Sequence, residues 1–335
     1  MKDMTRRKFL HIGGSAALAL IVGGAAGTSI WKMFSSPDKL FFGKTEKQAS
    51  DDSADEQIVS PYRRTFGFET PDDVAALDIM RGNIVIATTN TIYTYGVSGE
   101  IQSSFSVTDG VRDIAAFDDK IYVLYPTRVE VFTPHGESVN GWEACSANAD
   151  YCSITVFDGG VFVTDAGGKN VCKYTLEGAL SRFINSPKGF VVPSYSFGIT
   201  NIEGSVFVSN PGRHLIEQYT SEGEYVTAFG KGGNADGAFS GCCNPVILAS
   251  NAAGEILTSE KGKPRISCYG QDGKFHSVML DSKALDGGRE AYRVKVLGNK
   301  LVVARGKKIS VYQYNRRASE GTLCGDCNKE CPLKP

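Results

Sequence analysis

Residues 215–229 read Leu-Ile-Glu-Gln-Tyr-Thr-Ser-Glu-Gly-Glu-Tyr-Val-Thr-Ala-Phe, and this stretch determines the fold. It predicts a short strand that ends in an aromatic residue, a tight turn at Glu222-Gly223 and a further strand. Glycine in such a turn suits a hairpin that needs a positive φ. The chain has 38 Gly among 335 residues, well above the usual ~7%. This excess indicates many tight turns between short strands.

The strand with the aromatic end recurs six times along the chain. The six segments are Thr91–Tyr95, Arg128–Phe132, Asn170–Tyr174, Leu215–Tyr219, Arg265–Tyr269 and Lys308–Tyr312. Their aromatic ends lie 37, 42, 45, 50 and 43 residues apart, which is the blade period of a β-propeller. A sandwich of similar strands is the alternative, but it would not require so regular a period. The repeat therefore predicts an all-β fold, a six-bladed β-propeller over residues 63–314.

Five of the six strands are followed by a Gly turn that precedes a predicted fourth strand. These turns are Ser98-Gly99, His135-Gly136, Glu177-Gly178, Glu222-Gly223 and Asp272-Gly273. The sixth strand lacks such a turn. Because pairing of the two chain ends removes exposed sheet edges, we expect Arg63–Phe68 to supply the outer strand of the sixth blade.

Several segments resemble a known repeat family. Residues 210–245 contain a strand ending in Tyr, a Gly turn, Phe-Gly and a Gly-x-Phe segment, and this order resembles the NHL repeat. The chain also resembles a subgroup of exported bacterial NHL proteins in four segments: Val192-Pro193-Ser194, Asn210 to His214, Gly241 to Pro245 (Gly-Cys-Cys-Asn-Pro) and Thr258 to Gly262. The resemblance implies the propeller fold and no particular reaction.

The N-terminus predicts the compartment. Arg6 and Arg7 precede Phe9-Leu10 and an uncharged stretch from Ile12 to Trp31, and this resembles a bacterial twin-arginine export signal. A Sec signal or a plain membrane anchor with a positive flank is the alternative. Either interpretation places the remainder on the periplasmic side of the cytoplasmic membrane. The twin-arginine translocase is the partner that the signal implies.

The first 62 residues divide into a signal and a linker. Residues 1–34 are predicted as the export signal or an uncleaved anchor, since about 20 uncharged residues suffice to cross a bilayer. The protein would then be anchored, or soluble after cleavage. Residues 35–62 are rich in Lys, Asp, Glu and Ser. Such a composition cannot bury a core, so this segment is predicted as a flexible linker.

One face of the predicted propeller holds both the loops between second and third strands and the connections between blades, and long connections often carry function. Arg213, His214, Glu260, Lys261 and Arg265 are expected on this face, where they could bind an anion or a partner. The alternatives are a rim of charges paired with one another and, for His214, a hydrogen bond that fixes its own loop. A single histidine on this face does not build the histidine-rich metal site of amidating NHL lyases.

The C-terminal tail, residues 315–335, contains three cysteines in a CxxCxxxCP run, Cys324, Cys327 and Cys331. The run resembles a shortened ferredoxin-type ligand set for an iron–sulfur cluster. Three thiolates leave a [4Fe–4S] cluster one ligand short, and Cys242 and Cys243 are the obvious donors. The nine residues from 315 to 323 span roughly 30 Å when extended. We therefore expect the tail to cross to that pair.

Other uses of the nine cysteines stay open. Cys145 and Cys152 are predicted as a local disulfide pair, since exported cysteines are often oxidised. A zinc site is a further alternative for the tail cysteines, as is the absence of any cofactor. Cys172 and Cys268 lie within third strands and are expected in the core.

Composition and motifs restrict the function classes. The 36 Lys and Arg balance 37 Asp and Glu, which argues against a nucleic-acid partner. The chain has no recognisable catalytic constellation, so enzyme activity is not predicted. The leading hypothesis is an exported, membrane-tethered propeller that binds an iron–sulfur cluster and acts as an accessory or electron-transfer component beside a periplasmic or membrane redox protein. The alternatives are a non-catalytic binding scaffold with disulfide-linked cysteines and, third, a propeller hydrolase or lyase.

Overall fold

The computed structural model describes residue 60 and residues 62–314, and it confirms the predicted six-bladed β-propeller. Twenty-four strands form six antiparallel four-stranded sheets. Blade 1 comprises β2 (Ala76–Met80), β3 (Asn83–Ala87), β4 (Thr91–Tyr95) and β5 (Ile101–Ser106). Blade 2 comprises β6 (Asp113–Phe117), β7 (Lys120–Tyr125), β8 (Arg128–Phe132) and β9 (Ser138–Glu143). Blade 3 comprises β10 (Tyr151–Phe157), β11 (Gly160–Asp165), β12 (Asn170–Tyr174) and β13 (Leu180–Ile184).

The other three blades complete the ring. Blade 4 comprises β14 (Ile199–Ile202), β15 (Ser205–Asn210), β16 (Leu215–Tyr219) and β17 (Tyr225–Phe229). Blade 5 comprises β18 (Ile247–Ser250), β19 (Ile256–Glu260), β20 (Arg265–Tyr269) and β21 (Phe275–Leu280). Blade 6 comprises β22 (Arg293–Leu297), β23 (Lys300–Arg305), β24 (Lys308–Tyr314) and β1 (Tyr62–Glu69). The six predicted third strands all fall on the third strands of their blades.

The sixth blade is closed by the N-terminal strand, as expected. Strand β1 pairs antiparallel with β24 from Tyr62 opposite Tyr314 to Glu69 opposite Lys308. The predicted segment Arg63–Phe68 lies within this strand, which starts one residue earlier, at Tyr62. Both ends of the propeller sequence therefore share one sheet, and its outer edge belongs to the N-terminal segment.

The second and third strands supply most of the core. In β3, β7, β11 and β19 nearly every residue is buried, because a sheet lies on either side of each blade. The aromatic residues at the ends of the third strands are buried between blades; Tyr95, Tyr174, Tyr219 and Tyr269 are each at most 2% exposed. The repeated aromatic position is thus a packing position.

Polar side chains of the innermost strands link neighbouring blades around the central channel. Asp78 Oδ2 accepts a hydrogen bond from the backbone N–H of Ala116 at 2.8 Å. The other carboxylate oxygen, Oδ1, lies 3.1 Å from Lys295 Nζ of blade 6 and forms an ion pair with it. Further links between adjacent blades are Ser153 to Asp113, Thr155 to Asn201 and Thr200 to Ser250. We call this set the channel belt.

The glycines of the predicted turns also connect blades. Gly178 has a φ of 90°, and a Cβ placed on it would overlap the ring of Trp142 in the outer strand of blade 2. Gly136 has the same relation to Phe105 of blade 1. Glycine is required at these turns for two reasons: the backbone has a positive φ, and the preceding blade approaches too closely for a side chain.

The strand order defines two faces. The hairpin face carries the turns between first and second strands and between third and fourth strands. The loop face carries the other loops and the connections between blades, the longest of which, residues 185–198 and 230–246, lead into blades 4 and 5. Within the described part of the chain, no helix is long and apolar enough to cross a membrane.

Candidate functional site

Four segments that the sequence singled out meet on the loop face. Residues 192–194 and 241–245 lie in the connections into blades 4 and 5, and residues 210–214 and 258–262 lie at the loops between second and third strands of those blades. Backbone and side-chain hydrogen bonds join them: Gly212 donates to Val191, and Lys261 donates its N–H to Asn244. The unusual residues of this chain are therefore concentrated at one place between blades 4 and 5.

The centre of this place is the pair of adjacent cysteines. The sulfur atoms of Cys242 and Cys243 are 2.8 Å apart, well beyond a disulfide bond length, and neither is bonded to another cysteine among the described residues. Cys242 is exposed, whereas Cys243 is 3% exposed and its sulfur lies 3.9 Å from Ser194 Oγ. One thiol faces solvent and the other faces the protein.

The two thiols differ in acidity. Burial by itself would raise the pKa of Cys243, but hydrogen bonds from Cys242 and Ser194 and the charge of Lys261 outweigh it and lower the pKa. The pKa of Cys242 is raised, chiefly because its S–H donates to Cys243. Of the two thiols, the buried one therefore loses its proton more readily.

The loop around the cysteines is fixed by Asn244, which is 1% exposed. Its Nδ2 donates to the carbonyls of Ser240 and Lys261, at 2.7 and 2.9 Å, and its Oδ1 accepts the N–H of Lys261 at 2.9 Å. On the opposite side Ser194 has a left-handed backbone, with φ 59° and ψ 29°. A non-glycine residue in that conformation costs free energy, and here it places the hydroxyl beside Cys243.

Glu260 and Arg265 form a buried ion pair beneath this surface. Arg265 Nε lies 2.5 Å from Glu260 Oε1, and both side chains are at most 7% exposed. Arg265 also donates to the carbonyl of Ala238, and Glu260 accepts the N–H of Ser240. These two charges hold the connection into blade 5 in place and are directed away from solvent.

Asn210 and Arg213 support the connection into blade 4. Asn210 is fully buried and donates to Glu217 Oε1 at 2.7 Å, and Arg213 donates from Nε to the carbonyl of Gly189 at 2.9 Å. Arg213 is exposed at the surface of the loop face.

His214 follows Arg213 with a left-handed backbone, φ 57°. The loop is fixed by its backbone N–H, which donates to Pro211, and not by ring Nδ1. That nitrogen is buried and has no hydrogen-bond partner among the described residues. Of the five predicted residues on this face, Lys261 is the one that approaches the thiols, and its Nζ lies 3.5 Å from Ser196 Oγ.

The other predicted cysteines have separate surroundings. Cys145 is exposed and Cys152 half-buried, and within the part of the chain that the structure describes neither forms a disulfide, so their pairing stays a prediction. Cys172 and Cys268 are buried in third strands, as expected. The signal arginines Arg6 and Arg7 and the tail cysteines Cys324, Cys327 and Cys331 lie outside the described residues.

Sequence reasoning missed a group of three donor side chains on the hairpin face of blade 5. Glu255, Cys268 and His276 place one donor atom each within 4.8 Å of one another. The turn at Asp272-Gly273 was a usable signal, because it sets the register of β20 against β21 and brings Cys268 and His276 to neighbouring positions.

Comparisons with known proteins bear on the fold. No protein-family model matches the chain, and no curated protein sequence matches it. Among solved structures, a catalytically inactive variant of virginiamycin B lyase from Staphylococcus aureus with quinupristin is similar, with a TM-score of 0.53 and 13% identity over 75% of this chain and 99% of that one. A streptogramin B lyase has a TM-score of 0.51 and 14% identity over 76% of this chain and 98% of that one.

A protein of unknown function from Bacteroides caccae is also similar, with a TM-score of 0.51 and 14% identity over 66% of this chain and 81% of that one. At such low identities the likeness shows the fold alone. The NHL resemblance therefore stays a prediction. The chain is a six-bladed β-propeller.

Proposed function

We propose that this protein is an exported propeller whose loop face holds a thiolate-ligated iron–sulfur cluster, and that it acts as an accessory or electron-transfer component beside a periplasmic redox system. The observation that carries the proposal is the cysteine pair, two sulfur atoms 2.8 Å apart with a lowered pKa at Cys243. Thiolate is the form of cysteine that binds metals.

The residues that would hold the cluster are Cys324, Cys327 and Cys331 of the tail with Cys242 or Cys243 as the fourth ligand. The exposed sulfur of Cys242 is open to an approaching segment, and Lys261 adds positive charge beside an anionic centre. A bound cluster would supply one-electron transfer, with a potential that depends on burial and hydrogen bonds to sulfur.

The segment before the tail cysteines is long enough to cross from one face of the propeller to the other. It begins after Tyr314, at the hairpin-face end of β24, whereas Cys242 is on the loop face. The seven residues of β24 span about 23 Å. The nine residues between Tyr314 and Cys324 reach roughly 30 Å when extended, which exceeds the length of the strand.

A non-catalytic binding scaffold is the second candidate. It is favoured by the internal pairing of the loop face, where Glu260 with Arg265 and Asn210 with Glu217 hold the two long connections in one conformation. Such a preorganised surface suits a protein partner, because little conformational entropy is lost on binding. In this case the tail cysteines would form disulfides.

Iron and acid-labile sulfide content, with the visible spectrum, separates the two candidates. The full chain is purified without oxygen from a cytoplasm in which export is blocked. We expect iron, sulfide and a broad visible absorption in the parent protein, and their loss in Cys327→Ser. The double variant Cys242→Ser, Cys243→Ser should also lose them.

Cys145→Ser is the matched control, since it removes an exposed cysteine that is not a proposed ligand. It should retain full iron content. A parent protein without iron, or a double variant that keeps its cluster, would overturn the proposed function. Zinc in place of iron, with no visible absorption, would overturn the electron-transfer role while leaving the thiolate ligands in place.

A further inference from the structure

The hairpin face of blade 5 carries a second group of metal-binding side chains, distinct from the loop face. Glu255 immediately precedes β19, Cys268 lies in β20 and His276 lies in β21. His276 Nδ1 is 2.8 Å from Glu255 Oε1 and 4.0 Å from Cys268 Sγ. Tetrahedral zinc with N, O and S ligands at about 2.0–2.3 Å places its donors at separations of this order.

The surroundings hold these donors in position. Asn251 Nδ2 donates to the other carboxylate oxygen of Glu255 at 2.7 Å, which fixes the orientation of the carboxylate. Metal-binding carboxylates commonly have such an outer partner. Tyr62 packs against the hydrophobic core cluster that contains Cys268. Burial, with Cys268 and Glu255 nearby, raises the pKa of Tyr62 to about 12.

Burial of the three side chains is graded. Cys268 is 3% exposed, whereas the side chains of Glu255 and His276 are 23% and 37% exposed. The sulfur of Cys268 lies 4.0 Å from His276 Nδ1, and all three donor atoms lie within 4.8 Å of one another. An ordinary histidine–glutamate surface pair needs no buried thiol beside it, and the solvent access at His276 gives an ion a path to the three donors.

We propose that Glu255, Cys268 and His276 form a binding site for a divalent transition metal ion, with zinc as the ion that this mixed set of oxygen, sulfur and nitrogen donors suits best. Three protein ligands leave a fourth position for water, as in zinc sites that are not purely structural. On binding, the S–H bond of Cys268 breaks, the sulfur electron pair binds the metal and one proton passes to the buffer.

This proposal does not depend on the proposed cluster, and the test keeps the two apart. The tail also begins on the hairpin face, so its cysteines are removed together with the loop-face pair. The full chain then carries Cys242→Ser, Cys243→Ser, Cys324→Ser, Cys327→Ser and Cys331→Ser. We expect this protein to bind one equivalent of Co²⁺ with a thiolate-to-cobalt charge-transfer band, to lose the band on addition of Zn²⁺, and to release about one proton per zinc bound.

Two variants in this background assign the ligands. Cys268→Ser should abolish the thiolate band, and His276→Gln should weaken Co²⁺ binding by at least about tenfold. Because His276 is partly exposed, its replacement leaves the blade core intact even if Cys268→Ser fails to fold. Cys172→Ser, which replaces a buried third-strand cysteine of blade 3, and His135→Gln, on the same face, should bind as the parent does. Absence of a thiolate band, or a band that persists in Cys268→Ser, would overturn the site.

Discussion

Cys242 and Cys243 are identical side chains in different surroundings. Cys243 is buried next to Ser194 and near Lys261, while Cys242 is exposed and donates its proton toward its neighbour. The sequence shows the pair but not the neighbours, since Ser194 comes from the connection into blade 4 and Lys261 from a loop within blade 5. Their contribution to the thiol pKa could not be predicted without the fold.

Replacement of Lys261 by Met should raise the lower apparent pKa of the cysteine pair, because a nearby positive charge favours the thiolate. The measurement is the pH dependence of alkylation, resolved by peptide mass spectrometry. Lys263→Met, at an exposed position in the same loop, is the control and should leave the profile unchanged. Equal profiles for all three proteins would show that Lys261 does not act on the pair.

At the scale of the strands and turns, the six-blade repeat could be predicted from the sequence because the blades use equivalent positions for equivalent contacts. The aromatic end of the third strand and the Gly turn recur since every blade packs on the one before it. The buried polar pairs could not be predicted from the sequence. Glu260 and Arg265 were expected on the exposed rim of the loop face, and the sequence does not show that they pair with each other in the interior, or that Asn210 pairs with Glu217.

Gly178→Ala should destabilise the propeller more than Gly204→Ala. Both glycines have a positive φ, 90° and 82°, so each substitution incurs the left-handed strain of about 1–2 kcal/mol. At Gly178 the new methyl group also overlaps Trp142, whereas nothing lies within 4 Å of a Cβ at Gly204. Overpacking adds roughly 1–3 kcal/mol.

Urea unfolding monitored by tryptophan fluorescence measures the difference between these two variants. The free energy of unfolding should be lower for Gly178→Ala than for Gly204→Ala by at least about 1 kcal/mol. Equal losses would mean that the backbone alone, without the contact between blades 2 and 3, requires glycine at these turns.

For the whole molecule, the channel belt ties the last blade to the first. Desolvation opposes the charge of Lys295, but Asp78 and Asp113 outweigh it and raise the pKa of this lysine. A raised pKa in the folded state adds stability that is fully present below the unfolded value of about 10.4 and is lost as the pH rises through the folded value.

Asp78→Asn should therefore cost stability at neutral pH and progressively less above about pH 10.4, because the partner it removes matters only while Lys295 is charged. Asparagine can still accept the N–H of Ala116, so that bond is kept. The check is urea unfolding at about pH 7 and about pH 11. Asp109→Asn, at an exposed position, should show no such dependence, and a constant loss at both pH values for Asp78→Asn would contradict the role of Lys295.

Export is a second prediction at this scale. Arg6→Lys with Arg7→Lys keeps the charge but removes the guanidinium groups, so we expect precursor to accumulate in the cytoplasm. The measurement is cell fractionation. Arg63→Lys with Arg64→Lys, an adjacent arginine pair on β1, is the control and should be exported normally. Normal export in cells without the twin-arginine translocase would exclude this route.

Closure of blade 6 by β1 also sets an order on biosynthesis. Strand β1 leaves the ribosome first, but its partner β24 leaves last, so β1 has no pairing partner while the other blades are made. At about 5–20 residues per second, that interval lasts on the order of tens of seconds. A chain that terminates early keeps an unpaired edge strand, which proteases and chaperones can recognise. Ring closure thus requires that β24 has been synthesised, and a chain that ends before β24 remains open to degradation.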